Sequence, residues 1–381
     1  MKERFYSLDV FRGATVALMI LVNNPGSWSH IYAPLEHAAW HGCTPTDLVF
    51  PFFLFAVGNA LAFVMPKMEE KGTGYFLKKV CKRSLLIFII GLALNWFPFI
   101  KYDADGSIVA KGFDQLRIMG VLQRIALAYL FASLLIYFLK LQWAFVAGFF
   151  ILLLYWFLCV ALNPADPFSL AGWFGTRVDM AVFGANHMYH GEGVAFDPEG
   201  LMSTMGAIVQ VIFGYIAGHY IIHKGKNHEM LNGLFVAGCV LIFSGFCWDM
   251  VFPINKKIWS SSYVIYTTGL ALLIISVMIY QVEFKNARQG WSRFFNVFGK
   301  NPLFIFALSA IVVKAFALIR IPIIQNGEPG YTTPLSWFYN HICVPLFENE
   351  KNASLLYALC FITLMWFIAW VLHRKKIYIK V

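Results

Sequence analysis

Ten runs of about twenty predominantly apolar residues recur along the chain, and they constrain its fold more than any other feature. A run of this length can cross the hydrocarbon core of a bilayer as one α-helix. Because 59% of the residues are hydrophobic and only 13% are charged, the surface of a soluble domain could not absorb so much apolar area. The sequence therefore predicts an all-α, polytopic integral membrane protein. The predicted spans are residues 7–23, 46–65, 80–99, 117–138, 142–161, 201–222, 231–249, 259–280, 295–318 and 354–373.

The segments between the runs indicate a single domain. The long connections at 162–200 and 319–353 contain Pro, Gly, Asn, Asp and aromatic residues rather than a Ser/Gly spacer. We expect them to form ordered caps over one mouth of the bundle. Gly214 and Gly218 have the GxxxG spacing that favours close helix contact. With no obvious repeat, low-complexity segment or cleavable signal sequence, we interpret residues 1–381 as one transmembrane domain.

Basic residues are distributed unequally between the two sides that the runs define. If the N-terminus is cytoplasmic, twenty of the thirty Lys and Arg residues fall on the cytoplasmic side and eight on the outer side. The positive-inside rule therefore predicts that both termini are cytoplasmic. The formal net charge of +10 then reflects topology in the lipid bilayer, and nucleic acid is not an expected partner.

The stretch at 23–58 is the strongest candidate for a functional site. A polar loop containing His30, His37 and His41 joins the first apolar run to the second. Ionisable groups crowded at the mouth of a membrane bundle are costly to desolvate, so they commonly mark a site. We place His37 at the centre of this site, facing the outer side, and interpret the other two histidines as ordinary loop residues.

Residues around His37 could complete a catalytic group. Histidine exchanges protons near neutral pH, and its neutral imidazole can also accept an acyl group. Asn23 and the Trp40 N–H are candidate hydrogen-bond donors, and the Trp40 ring a candidate wall. Asp47 could orient the ring or bind a cation. The alternatives are a His37 satisfied by backbone carbonyls and an Asp47 that caps the second helix.

Basic residues in or near the apolar runs are candidates for binding an anion. Arg124 lies inside a run, where a guanidinium needs a carboxylate, several carbonyls or a phosphate. Arg12 follows Asp9 by three residues, so the two could form a local ion pair or Arg12 could meet an anionic ligand. Lys314 could bind the same ligand or extend its ammonium to the interface. Lys300 is the fourth candidate.

Polar residues in the outer connections are candidates for binding a substrate. Carboxylates, amides and histidines are dense between residues 175 and 200, which suits a sugar or an amine but also suits a solvated loop. The candidates there are His187, Asp197 and Glu199, and Lys257 joins them from the NKKIWS segment.

Other chemistries find no support in the sequence. The seven cysteines show no CxxC or Cys/His spacing, so no metal is expected. The pairing state of Cys43 and Cys343 in the outer loops stays open. No Walker, GxGxxG, GxSxG or HExxH motif is present, which removes the support for nucleotide hydrolysis, Rossmann cofactors, serine hydrolysis and zinc peptidase activity.

Seven segments together resemble the transmembrane N-acetyltransferase family of lysosomal heparan-α-glucosaminide N-acetyltransferase and its bacterial relatives. Each is weakly specific alone, but they occur in one order on the same predicted topology. They are SLDVFRG at 7–13, VNN at 22–24, HAAWHGCTPTDLVFPFFLFAVG at 37–58, LRIMGVLQR at 116–124, FDPEG at 196–200, NKKIWSSSYV at 255–264 and HRKKIYIK at 373–380.

The resemblance implies an acetyl-CoA-dependent acyltransferase in a bacterial inner membrane. Acetyl would pass from cytoplasmic acetyl-CoA to the amine of a glucosamine or glycosaminoglycan fragment outside. The family's active-site histidine falls on His37, its asparagine on Asn23, its aspartate on Asp47 and its arginine on Arg124. We expect the chain to lack the luminal domain of the lysosomal enzyme, and its loop between Asn23 and His37 reads longer than the family's and lacks the glycine run. A homodimer is a further implication.

Two readings compete with acetyl transfer. An amino-sugar transporter would use the same polar residues as a translocation path, but it should show paired repeats with broken helices, which the sequence does not reveal. A structural membrane partner in glycan assembly would tolerate replacement of His37, Asp47 and Arg124.

Overall fold

The computed structural model describes residues 5–103, 105–325 and 328–379 and shows a helical bundle with two small hairpins. The all-α prediction is therefore confirmed. The helices are α1 (Tyr6–Asn23), α2 (Val49–Glu70), α3 (Thr73–Trp96), α4 (Val121–Leu162), α5 (Phe174–Phe183), α6 (Thr204–Lys224), α7 (His228–Asp249), α8 (Ser261–Ile279), α9 (Trp291–Lys300), α10 (Pro302–Phe316), α11 (Pro334–Phe338) and α12 (Glu350–Arg374).

Every predicted run coincides with helix, but the count of about ten spans is not confirmed. Among the described residues, seven helices are long and apolar enough to cross a membrane, or eight if α9 and α10 form one span. The helix α4 counts once although its 42 residues cover two predicted runs and leave helical geometry at Lys140. The kink at Lys140 divides α4 into two helices of about 28 and 33 Å at 1.5 Å per residue, each close to the hydrocarbon thickness.

One further difference from the sequence prediction has a simple cause. The run at 295–318 was predicted as one span, but α9 and α10 meet at an 85° bend. Pro302 begins α10 directly after Asn301, and the residue before a proline is disfavoured in helical geometry. The cytoplasmic placement of both termini stays a prediction. Three of the basic residues counted for it, Lys2, Arg4 and Lys380, lie outside the described residues.

The largely buried helix α1 connects the two ends of the bundle. It packs against α2, α8, α9 and α12. Asp9 lies near its start and Asn23 at its end, and the 14 residues between them correspond to about 21 Å along the axis. We call the two ends of the bundle the Asp9 end and the His37 end, since the loop containing His37 follows Asn23.

Glycines allow α2 and α6 to pack with their backbones in contact. A Cβ atom on Gly214 would lie 2.1 Å from the carbonyl oxygen of Phe55, and one on Gly58 would lie 2.0 Å from that of Val211. Neither neighbour can move without displacing a helix. The close contact predicted from the GxxxG spacing is confirmed, and it fixes the helix that follows the His37 loop.

We expect Gly214→Leu to lower the free energy of unfolding by about 1–3 kcal/mol or more, because the side chain would force α2 and α6 apart. Thermal unfolding of the purified protein in detergent measures the change. Gly74→Leu is the matched control, since a Cβ on Gly74 would meet nothing within 4 Å. Equal melting temperatures for the two variants would contradict the close contact.

The His37 end is covered by ordered segments, as predicted for the described parts of the two long connections. One contains α5, and the other contains α11 and an antiparallel hairpin of β3 (Ile321–Gln325) and β4 (Glu328–Thr332). A second hairpin, β1 (Ile100–Tyr102) with β2 (Ile108–Ala110), lies next to it. The Arg320 guanidinium stacks 3.4 Å above the Tyr102 ring, which joins the two hairpins.

Candidate active site

The loop between α1 and α2 positions His37 by pairing with a distant segment. It contains 3₁₀ turns at Ala33–Leu35 and Pro45–Leu48, the second of which leads directly into α2. The Gly42 N–H donates to the Ile254 carbonyl at 2.7 Å. Gly42 has a φ of +105°, a region that glycine enters without strain. This pairing places the residues that follow Ile254 beside His37.

Asp47 performs both of the functions that the sequence left as alternatives. Its Oδ1 lies 2.7 Å from Nδ1 of His37. Its Oδ2 accepts hydrogen bonds from the Thr44 N–H and hydroxyl at 3.0 Å and from the Ala38 N–H at 3.1 Å. Because a carboxylate only accepts, Nδ1 of His37 carries the proton and Nε2 keeps its lone pair. The carboxylate is 1% exposed, so the cap and the histidine hold it rigidly.

Lys256 approaches the same imidazole from the other side of the cleft. Its Nζ is 3.1 Å from both Nδ1 and Nε2 of His37 and 3.8 Å from Oδ1 of Asp47. An ammonium equidistant from both ring nitrogens does not lie along the Nε2 lone pair. Burial lowers the pKa of Lys256 from its ordinary value, while the charge of Asp47 opposes that shift.

A cavity of about 260 Å³ opens beside these three residues at the His37 end. Five of the predicted site residues line it: Asn23, His37, Asp47, Glu199 and Lys257. Three charged residues that the sequence analysis did not select also line it: Arg117, Glu192 and Lys256. The cavity therefore holds carboxylates and cations in close to equal number, which suits a small polar ligand.

Arg117 fixes one wall of the cavity. Its guanidinium binds Asp197 through two hydrogen bonds of 2.7 and 3.0 Å and Glu199 through one of 2.5 Å. Burial alone would raise the pKa of Glu199, but the charge of Arg117 holds that pKa below its usual range. Asp197 is 1% exposed and is absent from the cavity lining, so it anchors the wall and does not face the ligand space.

Lys257 and Glu192 form the opposite wall. The Lys257 ammonium donates to Glu192 at 2.7 Å and to the Ala39 carbonyl at 2.8 Å. Trp40 stands behind this wall with its Nε1–H donating to the Phe168 carbonyl at 2.8 Å. In this structure the indole N–H is engaged and the ring packs in the cap against Phe196, while the predicted role of Trp40 as a donor or a cavity wall stays a prediction.

Arg124 lies beneath the cavity. Its guanidinium is fully buried, donates to the Pro198 carbonyl at 2.5 Å and to the Ser203 hydroxyl, and stacks 4.8 Å from the Trp259 ring. A side chain with 0% exposure presents no surface to a phosphate. The residue supports the 196–203 segment in this conformation, while its predicted role as a CoA ligand stays a prediction.

The remaining cations do not converge on one anion site. Arg12 and Lys300 share the carboxylate of Asp9 at the Asp9 end, at 2.7 and 2.8 Å. Lys314 lies near the other end of α10, where its ammonium donates to the Leu94 carbonyl at 2.5 Å. The four predicted cofactor ligands thus divide between the two ends, and Lys314 is separated from Arg12 by most of the bundle.

His187 and the cysteines have structural surroundings. His187 lies outside the cavity lining, with its Nδ1 2.8 Å from the Leu116 carbonyl, so the structure does not bring it to the candidate site. Burial raises the pKa of Cys43 to about 12, which keeps its thiol protonated. Cys43 and Cys343 are both free. Within the described residues, no cluster of three His, Cys, Asp or Glu side chains could hold a metal ion.

The fold and this site define a class: polytopic helical membrane proteins with a histidine–aspartate pair in a polar cavity at one end of the bundle. Within that class, residues 4–181 match the family model for the catalytic region of heparan-α-glucosaminide N-acetyltransferase. The resemblance noted from the motifs is thereby confirmed over this part of the chain, which is similar to the catalytic region of that family.

Two curated relatives extend the similarity over the whole chain. The human heparan-α-glucosaminide N-acetyltransferase is 26% identical over 99% of this chain, and the mouse protein of that name is 24% identical over all of it. The chain spans 60% of the length of the human protein and 61% of the mouse protein. His37, Asn23 and Asp47 lie inside the matched family region.

The sequence contained signals for the three cavity residues that were not selected. Lys256 precedes Lys257 in a segment assigned to the outer side, where the positive-inside rule provides no reason for two adjacent lysines. Arg117 stands in the LRIMGVLQR segment, seven residues before Arg124. Glu192 lies in the stretch between residues 175 and 200 where carboxylates are dense, but only the fold reveals that Lys257 pairs with it.

Proposed function

We propose that the chain is a membrane-embedded N-acetyltransferase that moves acetyl from cytoplasmic acetyl-CoA to the amine of a glucosamine-type sugar on the outer side. The observation that supports this most directly is the hydrogen bond between His37 and the buried Asp47 in a cavity of the right size for a small polar acceptor. The names of the relatives provide the acceptor class. The plasma membrane of the cell is the proposed location.

His37 is the proposed reacting base. Asp47 holds the proton on Nδ1, so Nε2 is the nitrogen with a lone pair available to a substrate. As general base, Nε2 takes a proton from the amine while the amine nitrogen bonds to the acetyl carbon. The C–S bond then breaks and CoA leaves as the thiolate. A base positioned in this way contributes roughly 10²–10⁴-fold to the rate.

The same geometry allows a two-step route. The Nε2 lone pair attacks the acetyl carbon, the C–S bond breaks, and acetyl-imidazole forms as CoA thiolate leaves. The sugar amine then attacks this acetyl carbon, the bond to Nε2 breaks, and Nε2 takes the proton that the amine nitrogen gives up. Release of that proton to solvent restores neutral His37. Asn23 is exposed at the end of α1 and lines the cavity, where it could donate to the developing oxyanion.

The acceptor would occupy the cavity between the two charged walls. Glu192 and Glu199 can accept hydrogen bonds from an ammonium or from hydroxyl groups, and each is held by its own cation. The volume of about 260 Å³ lies near the lower end of small-ligand pockets, which favours one sugar unit over an extended chain.

Acetyl-CoA would approach from the Asp9 end, where two cations share one carboxylate and leave a net positive charge. A cavity of about 310 Å³ lies there, lined by Arg12 and Asn59. The side-chain oxygen of Asn59, Oδ1, is buried and has no hydrogen-bond partner in the described part of the chain. It could therefore accept a hydrogen bond from an amide of the pantetheine arm. Arg12 would face the phosphates.

Three cavities follow α2 from this end to His37. Ala60 lines both the first cavity and a second of about 80 Å³, which Phe53 also lines. Phe50 lines the cavity beside His37, one helical turn from Phe53. The cavities are separate here, so passage of the acetyl group requires movement of the side chains between Phe53 and Phe50.

The test uses purified protein in liposomes with [¹⁴C]acetyl-CoA and glucosamine. We expect labelled N-acetylglucosamine to form in proportion to protein. Uptake of labelled glucosamine without acetyl-CoA, and without product, would instead establish transport. Binding of acetyl-CoA without transfer to glucosamine or to glycosaminoglycan fragments with a terminal glucosamine would contradict the proposed acceptor class.

A further inference from the structure

Lys256 contacts the imidazole of His37, yet neither route of acetyl transfer above uses it. Its Nζ lies 3.1 Å from both ring nitrogens and 3.8 Å from Asp47. Only 19% of its side chain is exposed, so bulk water screens these contacts weakly. A cation at this distance from an imidazole must affect the charge of the ring.

The charges of the three residues balance with one shared proton. Asp47 contributes one negative charge, and a single proton on either His37 or Lys256 neutralises it. Lysine is the stronger base, with an ordinary pKa of about 10.4 against about 6.5 for histidine. The proton therefore resides on Lys256 and the imidazole is neutral. A second proton would leave a net positive charge in a partly desolvated cavity.

We propose that Lys256 is a positioning residue that keeps the imidazole of His37 neutral, so that Nε2 stays available as base or nucleophile. Without Lys256, Asp47 would stabilise the imidazolium form instead. The inference deepens the proposed acetyl transfer and rests on it for its catalytic meaning. The electrostatic relation itself is independent of the reaction.

The other charged groups around the cavity offset one another. Lys257 pairs with Glu192 at 2.7 Å, and Arg117 pairs with Glu199 at 2.5 Å and with Asp197. Arg124 interacts with both Glu199 and Asp197 from beneath, so three cations oppose three carboxylates. The nearby thiol of Cys43 is neutral, since burial raises its pKa to about 12. Asp47 and Lys256 are thus the opposing charges that act on His37. Burial lowers the pKa of Lys256, and the charge of Asp47 opposes that shift.

Carbethoxylation of His37 by diethyl pyrocarbonate measures the fraction of neutral imidazole, because the neutral ring reacts with the reagent and the imidazolium form does not. Peptide mass spectrometry isolates the His37 signal, and the pH midpoint of modification is compared for wild type, Lys256→Met and Lys256→Arg. We expect Lys256→Met to raise the midpoint by about one pH unit or more. Modification on the acid side would then fall roughly tenfold. Lys256→Arg should keep the wild-type midpoint.

Two further variants complete the experiment. Lys257→Met is the matched control, because Lys257 is the adjacent lysine but binds Glu192 and Ala39; its midpoint should equal that of wild type. Lys256→Gln replaces Lys256→Met if the latter does not fold. An unchanged or lowered midpoint in the folded neutral variant overturns the proposal.

The same variants separate this inference from the proposed function. If acetyl transfer occurs, the acid limb of kcat/KM should move to higher pH together with the midpoint. A raised midpoint in a protein that transfers no acetyl group supports the role of Lys256 and overturns the proposed function. If the protein transfers acetyl but the midpoint and the acid limb are unchanged in Lys256→Met, the proposed function is supported and the role of Lys256 is overturned.

Discussion

His37→Ala is expected to lower the rate of acetyl transfer by roughly 10²–10⁴-fold, because the substitution removes the proposed base or acetyl carrier. Acetyl-CoA binding should change little, since the cations proposed to meet its phosphates lie at the Asp9 end, more than half the length of α1 away. Steady-state rates with labelled acetyl-CoA, together with the dissociation constant of acetyl-CoA, measure both effects.

His30→Ala is the matched control for this prediction. His30 belongs to the same loop but pairs with Glu350 at 2.7 Å, away from the cavity, so its removal should leave the rate within about twofold. Added imidazole should partly restore His37→Ala, because the substitution opens space beside Asp47. If His37→Ala kept the wild-type rate of acetyl transfer, His37 would be neither the general base nor the acetyl carrier.

Labelling without an acceptor distinguishes the two roles of His37. A carrier becomes labelled by [¹⁴C]acetyl-CoA and releases the label when glucosamine is added. A general base produces labelled sugar but no labelled protein. His37→Ala should show neither, so the comparison assigns the mechanism.

The His37–Asp47 pair was predictable because it is local. The two residues are ten apart, and the cap at the start of α2 fixes one of them, so a short loop suffices to bring them together. The helices were predictable for a similar reason, since a span of apolar residues needs no distant partner to satisfy its backbone.

Contacts between distant segments were not predictable. Lys256 reaches His37 across 219 residues, and contacts between distant segments, such as the backbone pairing of Gly42 with Ile254, create that approach. The acceptors of Arg124 were not predictable for the same reason. Its acceptors, a carbonyl at Pro198 and a hydroxyl at Ser203, are 74 and 79 residues away. The sequence indicated that the guanidinium needed acceptors but not which ones.

Arg117→Met is expected to destabilise the folded protein by about 3–5 kcal/mol, because it leaves the buried carboxylate of Asp197 without its counter-ion. Asp197 is 1% exposed and accepts two hydrogen bonds from Arg117, while Glu199 accepts a third. Methionine fills part of the volume but restores none of these bonds. Thermal unfolding in detergent measures the loss.

Arg177→Met is the control, since Arg177 is on the cap helix α5 and makes one exposed contact of 3.3 Å with the Leu162 carbonyl. Its loss should cost no more than about 0.5 kcal/mol.

Low pH provides a second comparison. The pKa of Glu199 is held down by Arg117 in the wild type, so the stability from this pair is present above the ordinary glutamate pKa and is lost as the pH falls through the lowered value. Arg117→Met should lose this part of the acid sensitivity. If the variant unfolds at the wild-type temperature, the wall formed by residues 196–200 does not depend on Arg117, and the acceptor cavity must be held by the cap alone.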